Sequence, residues 1–464
     1  MNKQMPFSKG VFCLVVVILV SLLLVARTPQ PQIVEAADES SAETGQVCST
    51  QRVSTFADNT MPVPSACLDG LCKLVLYLNS YMGAFDDGYS WEVYYYQWSS
   101  VGAWVGGPNM AMGGVEFSDG VGQNGDGHHE AVFGGGSSGN GYIRIMDDGP
   151  NENDPNLWSI ESRGDEQLTS ATLTACSVPG MVSTGLITSH QSIDVPEFCI
   201  DSLCMIFRWS FDSFGDTNPG LSNPVFYLQD SVTDLWIAGP NITYGIYYSD
   251  GAGENGDGAG MTTIFGGGYT ELGGKAELLD DGAEWSNSQW SVYYDETDDM
   301  TGVYYWFAPM TCVEHHISPG VTYIDTPEYC VDSLCTIVRW TDAWFDPYGP
   351  GFLWPVSYRQ DSSDGSWIGG PNVIFGGVQY SHGSGTNGDT NTELIYDGGI
   401  NPPGGYVYLV DDSSMNSETE DDQWIAWLDN FAGDVTSATY HICSNTCEET
   451  ILMINKEFLP FVEH

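Results

Sequence analysis

A glycine-rich segment, Ser118-Asp119-Gly-Val-Gly-Gln-Asn124-Gly-Asp126-Gly, carries the residue types that calcium uses: carboxylates and amide carbonyls on a flexible backbone. It returns as Ser249-Asp250-Gly-Ala-Gly-Glu254-Asn255-Gly-Asp257-Gly and as Ser381-His382-Gly-Ser-Gly-Thr-Asn387-Gly-Asp389. A type I′ hairpin turn, which needs positive φ at both central residues, accounts for the Asn-Gly but not for the aspartate that follows it each time. Asp119, Asn124, Asp126, Asp250, Glu254, Asn255, Asp257, Asn387 and Asp389 are therefore the candidate ligands of a calcium ion. The third copy is expected to respond least, because His382 replaces the first aspartate. The spacing is not that of an EF-hand, which needs a bidentate Glu at its twelfth position. Three acidic pairs, Asp147-Asp148, Asp280-Asp281 and Asp411-Asp412, follow the Gly-rich runs Phe133-Gly-Gly-Gly, Phe265-Gly-Gly-Gly and Tyr396-Asp-Gly-Gly. The pairs either sit in solvated turns or complete a cation site, and the glycines suit a bulge or a close crossing.

Two further groups recur. Val93-x-Tyr95-x-Gln97, Val225-x-Tyr227-x-Gln229 and Val356-x-Tyr358-x-Gln360 put Val, Tyr and Gln on one strand face. Such a face either grips a polar ligand or hydrogen-bonds between sheets. Trp104-Val-Gly-Gly-Pro-Asn109, Trp236-Ile-Ala-Gly-Pro-Asn241 and Trp367-Ile-Gly-Gly-Pro-Asn372 join a tryptophan to strong turn chemistry. The tryptophans either fill a core or stack on sugar rings. The candidate ligand-binding residues are thus Tyr95, Gln97, Trp104, Asn109, Tyr227, Gln229, Trp236, Asn241, Tyr358, Gln360, Trp367 and Asn372. Exposed tryptophans would favour binding, and buried ones a structural role.

No catalytic residue is assigned. A retaining glycosidase needs two carboxylates about 5–5.5 Å apart, and no glutamate recurs in all three copies, since Thr262 stands between Glu130 and Glu393 in the series. No Gly-x-Ser-x-Gly or Ser-His-Asp signature is present. Charge narrows the partners. With 62 acidic against 12 basic side chains the formal net charge is −50, which excludes nucleic acid and anionic membrane surfaces. A neutral polysaccharide, a matrix protein or a divalent cation remains.

Lys3 and Lys9 precede an apolar run from Val11 to Ala26, and Val34-Glu35-Ala36 fits a small-x-small cleavage site. Residues 1–36 read as a secretory signal peptide and 37–47 as a disordered acidic lead-in. The run is shorter than the about 20 residues of a membrane span, so no membrane insertion of the mature chain is expected. The cysteines agree with export: Cys67 with Cys72, Cys199 with Cys204 and Cys330 with Cys335 are the nearest disulfide pairs. Cys48, Cys176, Cys312 and Cys443 must bridge across boundaries or stay reduced. The ending Phe458-Leu-Pro-Phe461-Val resembles short endings of some exported bacterial proteins.

The elements that position these residues repeat as well. Pro-Glu-Phe-Cys199-Ile-Asp201-Ser-Leu203-Cys204-Met-Ile206-Phe-Arg208-Trp209 returns as Pro-Glu-Tyr-Cys330-Val-Asp332-Ser-Leu334-Cys335-Thr-Ile337-Val-Arg339-Trp340, with a looser copy at Cys67–Cys72. A period above 130 residues is long enough for one core per copy. Short β-branched and aromatic runs bounded by Gly, Asn, Asp and Pro predict strands throughout, eight of them in the second copy. The expected fold is all-β: three tandem homologous antiparallel β-sandwich or jelly-roll-like domains at 48–175, 176–311 and 312–443, each able to fold alone. Residues 444–464 form a tail whose final strand is expected to pack on the third domain. Together these features imply a secreted or cell-surface, non-catalytic protein binding glycan or matrix, with calcium as the one cofactor suggested. A structural envelope or matrix component is the alternative, and a secreted polysaccharide hydrolase comes last.

Overall fold

The computed structural model describes residues 48–54, 59–78, 88–109, 111–112, 115–137, 141–148, 157–164, 170–211, 220–241, 248–257, 262–266, 275–280, 289–295, 301–342, 351–375, 378–398, 405–411, 423–430, 435–445 and 450–452. The signal peptide, the acidic lead-in, Cys447 and the Phe458–Val462 ending lie outside these ranges, as do Asp281 and Asp412. The described chain is all-β, and none of its helices is long and apolar enough to cross a membrane.

One strand order is used three times. In the first module a large sheet runs Cys48–Ser54, Ser170–Ser177, Cys72–Leu78, Gly88–Gln97, Ala103–Gly107, Val121–Gln123. The second module repeats it with Val182–Ser183, Val303–Pro309, Cys204–Ser210, Val225–Gln229, Leu235–Gly239 and Ala252–Glu254. The third uses Cys312–Ile317, Ala438–Ser444, Cys335–Thr341, Val356–Gln360, Ser366–Gly370 and Ser384–Thr386. Each large sheet is faced, sandwich-like, by a four-stranded antiparallel sheet. Tryptophans from the small sheets hold the facing sheets in place: the indole N–H groups of Trp158, Trp290 and Trp424 donate to Tyr95, Tyr227 and Tyr358 Oη at 3.3, 3.4 and 3.3 Å. In the glycine run, a Cβ on Gly135 would come within 2.8 Å of Leu76 Cδ2, which marks a close crossing of the two sheets.

Local chemistry explains the repeated cysteine motif. Pro64, Pro196 and Pro327 lead into single 3-10 turns at Ser65–Cys67, Glu197–Cys199 and Glu328–Cys330. Disulfides then join Cys67 to Cys72, Cys199 to Cys204 and Cys330 to Cys335. Between the cysteines, Asp69, Asp201 and Asp332 take φ of 55°, 56° and 57°, a left-handed conformation that aspartate tolerates better than most residues. Their backbone N–H groups donate to the carbonyls of Gln97, Gln229 and Gln360 at 2.8, 2.7 and 2.7 Å. Their carboxylates accept the N–H groups of Ser99, Ser231 and Ser362 at 3.0, 2.8 and 2.9 Å. The motif is a staple between its turn and the end of a neighbouring strand.

Two assignments made from sequence are corrected here. Cys176 opens no second domain; it lies in Ser170–Ser177, hydrogen-bonded in the first module's sheet, and is disulfide-bonded, with Cys48 opposite it in register. The third module has the same pairing of first and last strands, where Cys312 is bonded to Cys443 across 131 residues. The second module has no cysteine in the corresponding strands. The tail strand Thr450–Leu452 pairs in parallel with Cys48–Ser54 of the first module, and not with the third.

Contacts gather Thr44–His464 into one compact body. In the small sheets burial alternates over the first four positions of Lys275–Leu279 and Tyr406–Val410. In the inner strands of the large sheets it is nearly continuous, and Cys204–Ser210 is buried at all seven positions. The cause is that each large sheet packs on its small sheet with one face and on the neighbouring modules with the other. Leu71, Tyr94 and Val105 of the first module, Met205, Phe207 and Phe226 of the second, and Val338 and Phe352 of the third belong to one cluster. A module on its own would expose these residues, which tells against independent folding of residues 176–311.

Backbone close approaches complete a cycle. A Cβ on Gly107 would overlap Leu221 O, one on Gly239 would overlap Phe352 O, and one on Gly370 would overlap Tyr89 O. The first module thus meets the second, the second the third, and the third the first. Gly107→Ala, Gly239→Ala and Gly370→Ala should each destabilise the protein by about 1–3 kcal/mol, the usual range for overpacking. Gly185→Ala, where a Cβ meets nothing within 4 Å, should be near neutral. Thermal melts of the four variants test this, and equal effects at all four positions would contradict the cycle.

Candidate metal centre

The recurrent Tyr, Gln and Trp residues lie in the core. Trp104, Trp236 and Trp367 are each 1% exposed and stack on Tyr95, Tyr227 and Tyr358 at ring separations of 5.6, 6.1 and 5.8 Å. The three tyrosine hydroxyls donate to Gln97, Gln229 and Gln360 Oε1 at 2.7, 2.9 and 3.1 Å. Those same oxygens accept from Asn124, Asn255 and Asn387 Nδ2 at 3.0, 3.2 and 3.4 Å. Asn109 and Asn372 donate Nδ2 to the carbonyls of Asp119 and His382 at 3.1 and 3.4 Å, tying the Gly-Pro-Asn turns to the glycine-rich loops. Asn241, in the same place in the second module, is half-buried. A ligand-gripping strand face was one of the two readings of these residues. In the structure these side chains are buried and hydrogen-bonded to one another.

The hydrogen bonds of Asn124 orient what lies beside it. With Nδ2 held by Gln97, its Oδ1 is buried without a partner. The strand end at Asp147-Asp148 folds against this loop. Asp147 N donates to Glu130 O at 3.0 Å, and Glu130 N donates back to Asp147 Oδ1 at 2.9 Å. Asp148 Oδ1 accepts the N–H of Gly125. Both aspartates are 0% exposed, and each keeps an Oδ2 with no hydrogen-bond partner, as does Glu130 at Oε2. One carboxylate oxygen from each of Asp126, Asp147 and Asp148 lies within 4.8 Å of the others. A Cβ on Gly122 would collide with Glu130 Oε2 and sit 2.7 Å from Trp104 Nε1, so glycine at this position leaves room for the glutamate carboxylate beside the indole.

Among the described residues no Lys or Arg pairs with these carboxylates. Burial raises Asp147 to about 7, against the pull of the Glu130 N–H and with help from the charges of Asp148, Glu130 and Asp126. Burial, then Asp126 and Asp119, raise Glu130 as well. Buried acceptors in this number, without donors or counter-charge, are costly.

The scaffold is repeated. In the third module Asp411 N donates to Glu393 O at 3.0 Å and Glu393 N to Asp411 Oδ1 at 2.9 Å. Asn387 Oδ1 and Glu393 Oε2 are buried without partners. In the second module Asp280 exchanges the same pair of bonds with Thr262, at 3.0 and 2.7 Å.

The acceptors at the start of each glycine-rich loop are engaged by backbone N–H groups. Asp119 Oδ2 accepts the N–H of Ala131 at 2.6 Å, Asp250 Oδ2 that of Thr263 at 2.6 Å, and His382 Nδ1 that of Leu394 at 2.9 Å. This position needs a hydrogen-bond acceptor for a strand N–H, and a neutral imidazole serves as well as a carboxylate. His382 therefore gives no reason for a weaker third site. Glu254 is exposed at the end of its strand. Asn124 and Asp126 lie at the cluster, and Asn255 and Asn387 make the equivalent amide bonds, while Asp257 and Asp389 sit exposed at the matching loop positions. Asp147 and Asp148 lie beside Asp126; the recurrence of the acidic pair was visible in sequence, but not its proximity to the Asn-Gly-Asp loop, and Glu130 is matched by Glu393 but replaced by Thr262.

No protein-family model and no curated protein matches this chain. Among solved structures, transferrin binding protein B from Haemophilus parasuis Hp5, a vaccine antigen, aligns over 86% of this chain and 78% of its own, at 8% identity and a TM-score of 0.10. That likeness carries no argument about fold or function.

If Asp119 serves as an N–H acceptor, Asp119→Ala should lower stability by about 1 kcal/mol, measured by denaturant melts in chelator. Asp119→His should recover most of the loss, as His382 does in the third module. Equal losses in the two variants would contradict this role.

Proposed function

We propose that the chain is an exported, non-catalytic scaffold of a cell surface or extracellular matrix, built from three homologous sandwich domains behind a cleaved signal peptide. One observation carries this reading: the side chains that recur with the period, above all the tryptophans at 1% exposure, are engaged inside the fold and not offered to a ligand. Local disulfides in every module and the bridge from Cys312 to Cys443 suit an oxidising compartment. Asp147 and Asp148 are wholly buried, which keeps a polymer substrate from them and speaks against a hydrolase. Calcium is the cofactor that an extracellular setting makes available.

Glycan or matrix binding is the second reading, and a different surface favours it. On the small sheet of the third module Tyr323 is 49% and Trp427 39% exposed, with Tyr406 6.0 Å from Trp427 by ring centroid. The patch recurs only in part: at the place of Trp427 the second module has Tyr293, 36% exposed, and the first has Glu161. Affinity electrophoresis against a panel of neutral polysaccharides separates the readings. The scaffold reading expects the native protein and a Trp427→Ala variant to migrate alike in every gel. Retardation that Trp427→Ala abolishes would replace it with the glycan reading.

A further inference from the structure

We infer that the first module binds one calcium ion through Asn124, Asp126, Glu130, Asp147 and Asp148, that the third module repeats this site, and that the second holds a weaker version of it. Only the choice of calcium over another hard cation rests on the extracellular setting proposed above. The site itself rests on its own geometry.

Four observations carry it. The donors are all oxygen, from carboxylates and one amide carbonyl, with no histidine or cysteine in the set, which selects a hard cation over zinc or copper. Two of the carboxylates, Asp147 and Asp148, are 0% exposed, and each has one oxygen held by a backbone N–H and the other without a partner. Asn124, 2% exposed, has its amide nitrogen fixed by Gln97, which leaves its carbonyl oxygen as the free donor. Glu130, immediately before the strand Ala131–Ser137, brings a further buried, unpartnered oxygen. The backbone bonds hold this set before any ion arrives. Five residues from a turn, a loop and a strand end match the irregular six- to eight-oxygen shell of calcium better than the strict octahedron of magnesium.

The three modules are not equal. At the position of Glu130 the third module has Glu393, also with a buried unpartnered oxygen, whereas the second has Thr262. A neutral hydroxyl replaces a carboxylate there, and calcium affinity in such loops follows the charge of the ligand set. His382 is immaterial to the order, because its position accepts a strand N–H and does not face the ion. The order predicted from geometry is therefore first and third above second, the reverse of what a loop comparison alone suggests for the third.

The test is isothermal titration of calcium chloride into the purified full chain stripped with chelator, at constant ionic strength, with magnesium chloride as the comparison ion. Two tighter sites and one weaker site are expected, with calcium preferred over magnesium. Asp148→Asn should remove one tight site, and Thr262→Glu should tighten the weak site by about tenfold or more. Circular dichroism in chelator checks that each variant is folded, and the gain expected of Thr262→Glu keeps the test decisive if Asp148→Asn does not fold. No calcium binding at millimolar concentrations would overturn the inference, as would Thr262→Glu leaving the weak site unchanged. Calcium binding by a protein that proves not to be exported would leave the site standing and remove the setting.

Discussion

The closure of three large sheets onto one another is the constraint from which the rest of the structure follows. At each junction a glycine lets one backbone lie against the carbonyl of the next module: Gly107 on Leu221, Gly239 on Phe352 and Gly370 on Tyr89. Once the sheets meet in this way their inner strands have no solvent face, so strands such as Cys204–Ser210 must be apolar or internally satisfied at every position. That is why the inner strands read as continuous hydrophobic runs while the outer ones alternate. Function is pushed outward, to loops between strands and to the small sheets.

The one strong departure from an apolar junction supports the same view. Lys73, Met205 and Thr336 each follow the second cysteine of the repeated motif, and they meet near the shared core. Lys73 Nζ lies 2.5 Å from Glu92 Oε1 and donates to Thr336 Oγ1 at 2.8 Å. Ser357 Oγ donates to Glu92, while Tyr94 donates to the other Glu92 oxygen at 3.2 Å and approaches Met205 Sδ at 3.6 Å. Burial lowers the Lys73 pKa against the pull of Glu92. A buried pair of this kind adds little net stability, but removing either partner strands a charge. Because its partners come from the first and third modules, it distinguishes one junction of an otherwise repetitive cycle. The acidic cluster of the first module is different: among the described residues no Lys or Arg pairs with Asp126, Asp147 or Asp148, and a cation would serve where Lys73 serves here.

What the sequence revealed was local. The Cys67–Cys72 type of bridge and most strands of the second module were legible because their signals lie within a few residues of each other. Contacts between residues more than a hundred positions apart were not. Nothing near Cys176 says that it finishes the first sheet and does not open the second, and nothing near Gly107 names Leu221 as its neighbour. The Trp-x-x-Gly-Pro-Asn motif read equally as a sugar platform or as core, since burial depends on the sheet that covers it. His382 shows a further reason: a change of residue type reads as a change of role, yet histidine and aspartate here accept the same strand N–H. Glu130 was hidden by Thr262, because a search for strict recurrence discards a residue that one copy has replaced.

A single shared core has a consequence that independent domains do not. Differential scanning calorimetry of the mature protein, with calcium held constant, measures it directly. One transition is predicted, with van't Hoff and calorimetric enthalpies in a ratio of about 1, the mark of all-or-none unfolding. Three resolved transitions, or one broad transition with a ratio of about one third, would show that the modules unfold separately and would contradict the closed cycle.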